Sequence, residues 1–212
     1  MSQRFLSQRL RKESAPPDKL PGAARLPPPV LRGPRLVARL ADVADAAAIV
    51  RYLLDNQAHL APTEPPRPPE YATVDHWQQA ARHARREQAQ GESLRLVLLL
   101  AAEPGRIVGT VNVTQIVRGS FQAAFLGYAL DARLQGQGLM TEAIGLVAEH
   151  AFHAMRLHRL MANHLPENLA SAAVLRKCGF EVEGFAKQYL YIAGAWRDHV
   201  LTARTHLAWP LH

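Results

Sequence analysis

The chain is 212 residues long and carries a formal net charge of +7, enough for one ordinary domain and an appendage. Its single cysteine, Cys178, excludes an intrachain disulfide and suits a reducing compartment, so a cytoplasmic location is expected. No apolar run reaches the roughly 18–20 residues that a bilayer span requires, and the N-terminus shows no apolar secretory core ahead of its charges and prolines.

The positive charge invites a nucleic-acid reading that its distribution weakens. Residues 1–33 carry seven basic side chains against Glu13 and Asp18, so +5 lies there and only +2 in the rest. Residues 1–34 carry Pro16, Pro17, Pro21, Pro27, Pro28, Pro29 and Pro34 and few aromatic residues. Such a segment buries too little apolar surface to offset its ordering entropy. Residues 1–34 are therefore expected to be a basic, disordered extension, and 35–212 a single domain.

From Arg35, RLVARLA alternates as a strand does. Asp42 or Asp45 can cap a helix reaching about His59, with Ile49, Leu53, Leu54 and Leu60 on one buried face. APTEPPRPPE at 61–70 is a proline-stiffened connection, and 73–89 reads as a second helix, polar and basic outside. SLRLVLLLAAE is too short an apolar run for a good helix and is expected to be a buried strand. PGR at 104–106 is expected to turn the chain into IVGTVNVTQIV, and FQAAFLGYALD forms a third strand. A helix follows from about Gly138 to Met155, a strand over 158–165, and a helix from Asn168 to Cys178 stopped by Gly179. FEVEGFAKQYLYI and WRDHVLTARTH pair around Ala193-Gly194. The order defines a single mixed-sheet α/β domain with no internal repeat.

Chemistry concentrates in QGQGLM at 135–140, between a strand and a helix. Gly136 and Gly138 permit positive φ and close backbone approach. The free N–H groups and dipole of the following helix make an anion site suited to a pyrophosphate, with Arg133 near enough to add a cation. An ordinary strand-to-helix loop is the plain alternative. GxGxxG is absent, since Thr141 occupies the third glycine position, and no Gly-Lys-Ser/Thr follows.

The loop resembles the coenzyme A loop of the Gcn5-related N-acetyltransferases, Gln/Arg-x-x-Gly-x-Gly/Ala, with Gln135 and Gly138 matching and Met140 departing. In PENLASAAVLRKCGF, Asn168 matches the asparagine that this family places beside the coenzyme A arm; it also serves as a plain N-cap. Many members carry a tyrosine seven residues later as the acid for the leaving thiolate, and here Leu175 stands there. Ser171 is the nearest hydroxyl on that helix, and a small residue permitting close packing is the alternative reading. HLAPTEPPRPPE, VRGSFQAAFLGYALD, QGQGLMTEA, HRLMANHLPENLAS, LRKCGFEVEG and WRDHVLTA are similar to the ribosomal-protein alanine N-acetyltransferases of the Rim type, in particular the RimJ branch, over roughly 35–208.

That resemblance implies a mostly antiparallel twisted sheet flanked by helices, with a strand pair split at the acetyl-coenzyme A site. It also implies acetyl-coenzyme A as cosubstrate and the N-terminal α-amine of a protein as acceptor. On it, Leu130, Arg133, Gln135, Gly136, Gln137, Gly138, Leu139, Met140, Thr141, Asn168 and Ser171 are expected to hold the cosubstrate. A backbone N–H between Tyr128 and Asp131 is expected to stabilise the oxyanion. Ser171, Glu183 and Tyr191 are the candidate catalytic side chains, Glu183 first as proton acceptor; Tyr189 and Asp198 lie on the same strands. Glu142 reads as a first-turn acid that favours the helix dipole. The loop with Glu64 and Arg67 is expected to wall the acceptor site. His150 and His153 stand at i, i+3 without a third ligand at sensible spacing, so no metal is expected, and Cys178 reads as a small buried hydrophobe. Two other readings stay open: acetylation of a small amine, for which 35–212 lacks the acidic run a polycation would need, and a ribosome- or RNA-binding module using the basic tail.

Overall fold

The structure is a computed structural model and describes residues 28–209. Its sheet follows from where the apolar side chains fall. β3 (Leu94–Leu100) is apolar at almost every position because both of its faces are covered. Leu94, Leu96 and Leu98 enter the main core on one side, and Val97 and Leu99 a second cluster on the other.

Among the described residues, eight strands stand in the order β1-β2-β3-β4-β5-β6-β8-β7. Their spans are β1 Val30–Arg32, β2 Leu36–Leu40, β4 Glu103–Val117, β5 Ala123–Leu130, β6 Arg159–His164, β7 Glu181–Ile192 and β8 Ala195–Thr205. Every neighbouring pair is antiparallel except β5 with β6, which run parallel. The expected mixed, mostly antiparallel sheet is present. Two local readings need amending. β1 lies inside the stretch expected to be a disordered extension and pairs with β2 from Val30↔Arg39 to Arg32↔Val37; residues 1–27 of that stretch lie outside the described residues. The reversal expected at 104–106 falls at Ala101-Ala102, because Leu100 pairs with Glu103 and the next partner, Leu99↔Ile107, leaves Pro104 to Arg106 as a bulge at the start of β4.

α1 (Ala46–Asp55), α2 (Gln57–Leu60) and α3 (Val74–Gln90) cover one face, where Ile49, Tyr52, Leu60 and Ala81 pack on Val97, Leu99 and Ile107. Thr73 caps α3 by accepting from His76 N–H, and Gly91 ends it in a left-handed turn. α4 (Leu139–His153) and α5 (Leu169–Lys177) cover the opposite face. Ala143, Ile144, Val147, Ala148 and Ala151 of α4 are fully buried there against Leu36, Leu96, Val111 and Val113. At Gly109 of β4, a Cβ would lie 2.4 Å from the Ala129 carbonyl oxygen, so only glycine allows β4 this close to the end of β5. Among the described residues, no helix is long and apolar enough to cross a membrane.

Candidate active site

β5 and β6 pair only over Ala123–Phe125 against Arg159–Met161. Beyond Phe125, β5 stays on β4 as far as Leu130 and β6 stays on β8 as far as His164, so the two strands open into a cleft. Asp131 N–H donates to the Val108 carbonyl at 2.8 Å. N–H groups alternate sides along an antiparallel strand, so those of Leu130 and Tyr128 face the cleft. Of the stretch from Tyr128 to Asp131, these are the two residues whose N–H groups point away from β4.

At the mouth of the cleft, Asp131 caps the short turn Ala132–Leu134 by accepting from Arg133 N–H at 3.0 Å. Gly136 (φ 73°) and Gly138 (φ 76°) then hold left-handed conformations that bring the chain into α4. A Cβ at Gly136 would meet nothing within 4 Å, so the loop surface is open to a ligand. Gln135, Gly136, Gln137 and Gly138 are exposed, whereas Leu139 and Met140 are buried and Met140 packs in the main core. The N-cap of α4 is Gly138, which has no side chain to cap the helix. The N–H groups of Leu139, Met140 and Thr141 have no acceptor within the helix, and the helix dipole adds positive potential. This arrangement can take a phosphate or pyrophosphate.

The loop is held from three sides. Arg35 donates from Nη1 to the Gln137 carbonyl at 2.8 Å. Asn56, between α1 and α2, accepts Ala132 N–H through Oδ1 at 3.0 Å, and His59 Nε2 lies 3.0 Å from Gln135 Nε2. Glu142, read from the sequence as a dipole-favouring acid, also accepts from Arg35 N (2.9 Å), Leu36 N (3.1 Å) and Arg35 Nε (2.8 Å). It ties the start of β2 to the first turn of α4, and these donors lower its carboxyl below the ordinary range against the opposing effect of burial.

Arg133 is not a free cation. Its Nε and Nη2 donate to Asp131 at 3.0 and 2.8 Å, and Asp55 lies 3.7 Å away. Arg106 adds a further bond to Asp131 at 3.0 Å. The Asp131 side chain is only 2% exposed, and the guanidinium beside it holds its carboxyl well below the usual carboxylate range. The anion-binding capacity of the mouth therefore rests mainly on backbone N–H groups.

Across the cleft, Asn168 accepts Ser171 N–H at 3.0 Å and starts α5. Ser171 Oγ lies 2.7 Å from the Tyr128 hydroxyl. Leu175 is 1% exposed and belongs to the core. Burial pushes the Tyr128 phenol up to about 12, so it keeps its proton at neutral pH. Tyr128 is not among the side chains that the sequence marks as candidates. The available signal was the alternation in FLGYALD, which sets Tyr128 on the buried face with Leu126 and Leu130.

The other two candidates separate. Glu183 is ion-paired with Arg159 of β6. By register it lies between the pairs Val182↔Thr202 and Gly184↔Leu201, while Ala162 and Asn163 of β6 face Thr202 and Leu201. Its backbone thus sits level with the opening of the cleft, two strand spacings or about 10 Å from that of β6. Tyr191 pairs with Trp196 far beyond His164↔Val200, on an arm that passes the end of β6. It is exposed and packs edge-on against Trp196 at 5.8 Å; the structure does not bring it to the cleft. Tyr189 accepts from Asn163 Nδ2 at 3.4 Å, and Asp198 accepts Gln188 N–H at 2.8 Å within the β7–β8 bulge.

The tip of that arm closes a cavity of about 690 Å³ between α1, α2 and the proline-rich connection. Its wall is formed by Leu53, Leu54, Leu60 and Pro65–Pro66, with Ala193-Gly194 at the far side. Glu64 is its one carboxylate and lies 3.5 Å from Arg67, which sits over the Tyr71 ring. His153 contacts Glu149 and His206, and Cys178 is buried with its thiol 3.6 Å from the Thr141 carbonyl, burial raising its pKa. Among the described residues, no group of three His, Cys, Asp or Glu side chains is placed to hold a metal.

A parallel strand pair that parts beside a glycine-led helix is the frame of the acetyltransferase (GNAT) domain, whose family model matches residues 35–181. The chain belongs to that family and is an acyltransferase. It is 39% identical over 175 residues to the [ribosomal protein uS5]-alanine N-acetyltransferase of Escherichia coli (strain K12), covering 82% of this chain and 90% of that protein. It is 35% identical to the probable N-acetyltransferase YjcK of Bacillus subtilis (strain 168), covering 82% and 96%. Among solved structures, the ribosomal-protein-S5-alanine acetyltransferase of Vibrio fischeri superposes with a TM-score of 0.82 at 37% identity, covering 86% of this chain and 99% of that one. Mycobacterium smegmatis RimJ in complex with CoA-disulfide gives 0.77 at 34% identity, covering 86% and 88%.

Proposed function

We propose that this protein transfers the acetyl group of acetyl-coenzyme A to the N-terminal α-amine of a protein, a ribosomal protein whose first residue is alanine. The observation that carries the reading is the apolar cavity between α1, α2 and the proline-rich connection. Prolines, leucines and backbone line it, and its single carboxylate is shared with an arginine. Such a wall suits an extended peptide and gives no anchor to a small polycation. The activity in the names of the Escherichia coli and Vibrio fischeri relatives supports the acceptor class.

The residues fit the cosubstrate. The exposed turn at Gln135–Gly138 and the free N–H groups of Leu139, Met140 and Thr141 offer a cradle for its pyrophosphate, with Arg133 at the edge. Leu130 and Asn168 flank the cleft that its extended arm would follow. Acetyl-coenzyme A supplies the thioester. Leu130 N–H, aimed into the cleft, stabilises charge developing on the carbonyl oxygen. Ser171 donates a hydrogen bond to the departing sulfur. Glu183 accepts the amine proton through a water, since it stands too far from the cleft for direct transfer. Tyr191, out on the β7–β8 arm, takes no part in the transfer step.

An α-amine suits so sparse a base. Its reference pKa near 8 leaves roughly a tenth neutral at pH 7, against under about one in a thousand for lysine. The test is incubation with acetyl-coenzyme A and peptides beginning Ala, Ser or Met, beside an Nα-blocked peptide carrying lysine, with mass spectrometry locating the acetyl group. Acetylation of the free α-amine, fastest on Ala, is expected. Acetyl found only on lysine side chains overturns the reading.

A further inference from the structure

We infer that Tyr128 is a positioning residue for Ser171: its hydroxyl donates to Ser171 Oγ and thereby leaves the serine proton for the sulfur that departs from the thioester. The inference rests on the proposed acetyl transfer and adds a residue to it. The two hydroxyls are 2.7 Å apart, one on β5 and one in the first turn of α5. A serine hydroxyl has one proton and two acceptor sites. If Ser171 donated to Tyr128, nothing would remain for the sulfur. If Tyr128 donates, the serine proton is free to point elsewhere.

The contact allows either arrangement, and the second is the one that leaves a proton for the sulfur. Tyr128 packs against the main core, and a phenol so placed remains protonated at neutral pH. Ser171 is held independently through its backbone, because Asn168 Oδ1 accepts its N–H. One contact holds the Ser171 backbone, and the other occupies an acceptor site of Oγ and leaves its proton to point elsewhere. The strand that supplies Tyr128 also presents Leu130 N–H to the cleft two residues on, so a single strand would orient both groups that meet the developing charges. With Leu175 buried in the core, the helix offers no phenol of its own there, and the Tyr128–Ser171 pair reaches a similar chemical result from two elements. As the C–S bond breaks, the electron pair stays on sulfur and the Ser171 O–H donates to it.

The experiment compares Y128F, S171A and the double variant in the full-length protein. Phenylalanine keeps the ring packing and removes only the hydroxyl. Y128F is expected to lower kcat about tenfold with KM for acetyl-coenzyme A within twofold, and to have no further effect in the S171A background. A second measurement does not depend on any acceptor. Isothermal titration should show wild type binding coenzyme A several-fold more tightly than desulfo-coenzyme A, with Y128F and S171A each erasing that preference. Equal losses from Y128F with and without Ser171, or an unchanged thiol preference, overturn the inference. If no peptide is acetylated while Y128F still erases the thiol preference, the acceptor reading fails and the pairing stands.

Discussion

The backbone N–H of Ala193, at the tip of the β7–β8 arm, donates to the Glu64 carbonyl in the proline-rich connection at 3.0 Å. This single bond joins two segments that are remote in sequence and closes the apolar cavity between them. If the cavity receives the acceptor, loosening this wall should alter acceptor binding alone. P65G/P66G is expected to raise KM for an N-terminal peptide about fivefold, since ordering a glycine pair costs on the order of 1–2 kcal/mol of backbone entropy. KM for acetyl-coenzyme A should stay constant. Steady-state kinetics with each substrate varied in turn checks this.

Gly138 tests the anion loop. Its φ of 76° suits glycine, and a Cβ there would find Arg35 Nη2 at an ordinary 3.6 Å. G138A should therefore fold, losing roughly 1 kcal/mol to backbone strain. The added methyl also stands where a pyrophosphate would approach. A rise of about tenfold in the Kd for coenzyme A, read by calorimetry, is expected alongside a melting temperature only a few degrees lower.

Glu142 joins β2 to α4 through three donors. E142A leaves the N–H groups of Arg35 and Leu36 without this acceptor and should destabilise the protein by about 2 kcal/mol in urea unfolding. E142Q keeps an acceptor oxygen and should recover about half of that. An E142A chain as stable as wild type would mean that water replaces the carboxylate at no cost.

Asp131 predicts a pH dependence. Its folded carboxyl lies well below the usual range because of Arg133 and Arg106, whereas in the unfolded chain it titrates near 3.9. A depressed folded pKa contributes stability that is complete above the unfolded value and is lost as pH falls below about 4 toward the folded value. D131N should cost about 2 kcal/mol at pH 7, because two arginines lose a nearly buried partner. It should also flatten the decline in stability between about pH 4 and pH 2 relative to wild type. Urea melts of both proteins across that interval provide the check.

Much of the fold was legible because period and punctuation agree. The helix expected over 73–89 is α3, Asn168 and Gly179 bound α5, and Ala193-Gly194 turns the last hairpin where alternation on either side requires it. Sequence and structure part where pairing partners decide the outcome. Pro104-Gly105-Arg106 has turn composition, yet Leu100↔Glu103 moves the reversal to two alanines. Val30–Arg32 is too short to announce itself and is a strand only because β2 offers an edge.

The sequence by itself determined the glycine-led helix start, the asparagine cap of α5 and the vacancy left by Leu175, because each depends on residue type at short range. Only the tertiary structure decided how those pieces are used. Arg133 is held by Asp131 and Asp55, Tyr191 lies out on an arm, and Tyr128 meets Ser171 across the cleft. Tyr128 and Ser171 are 43 residues apart along the chain. Nothing local in either one fixes the other; the parting of β5 from β6 and the packing of α5 beside it bring the two hydroxyls within hydrogen-bonding distance.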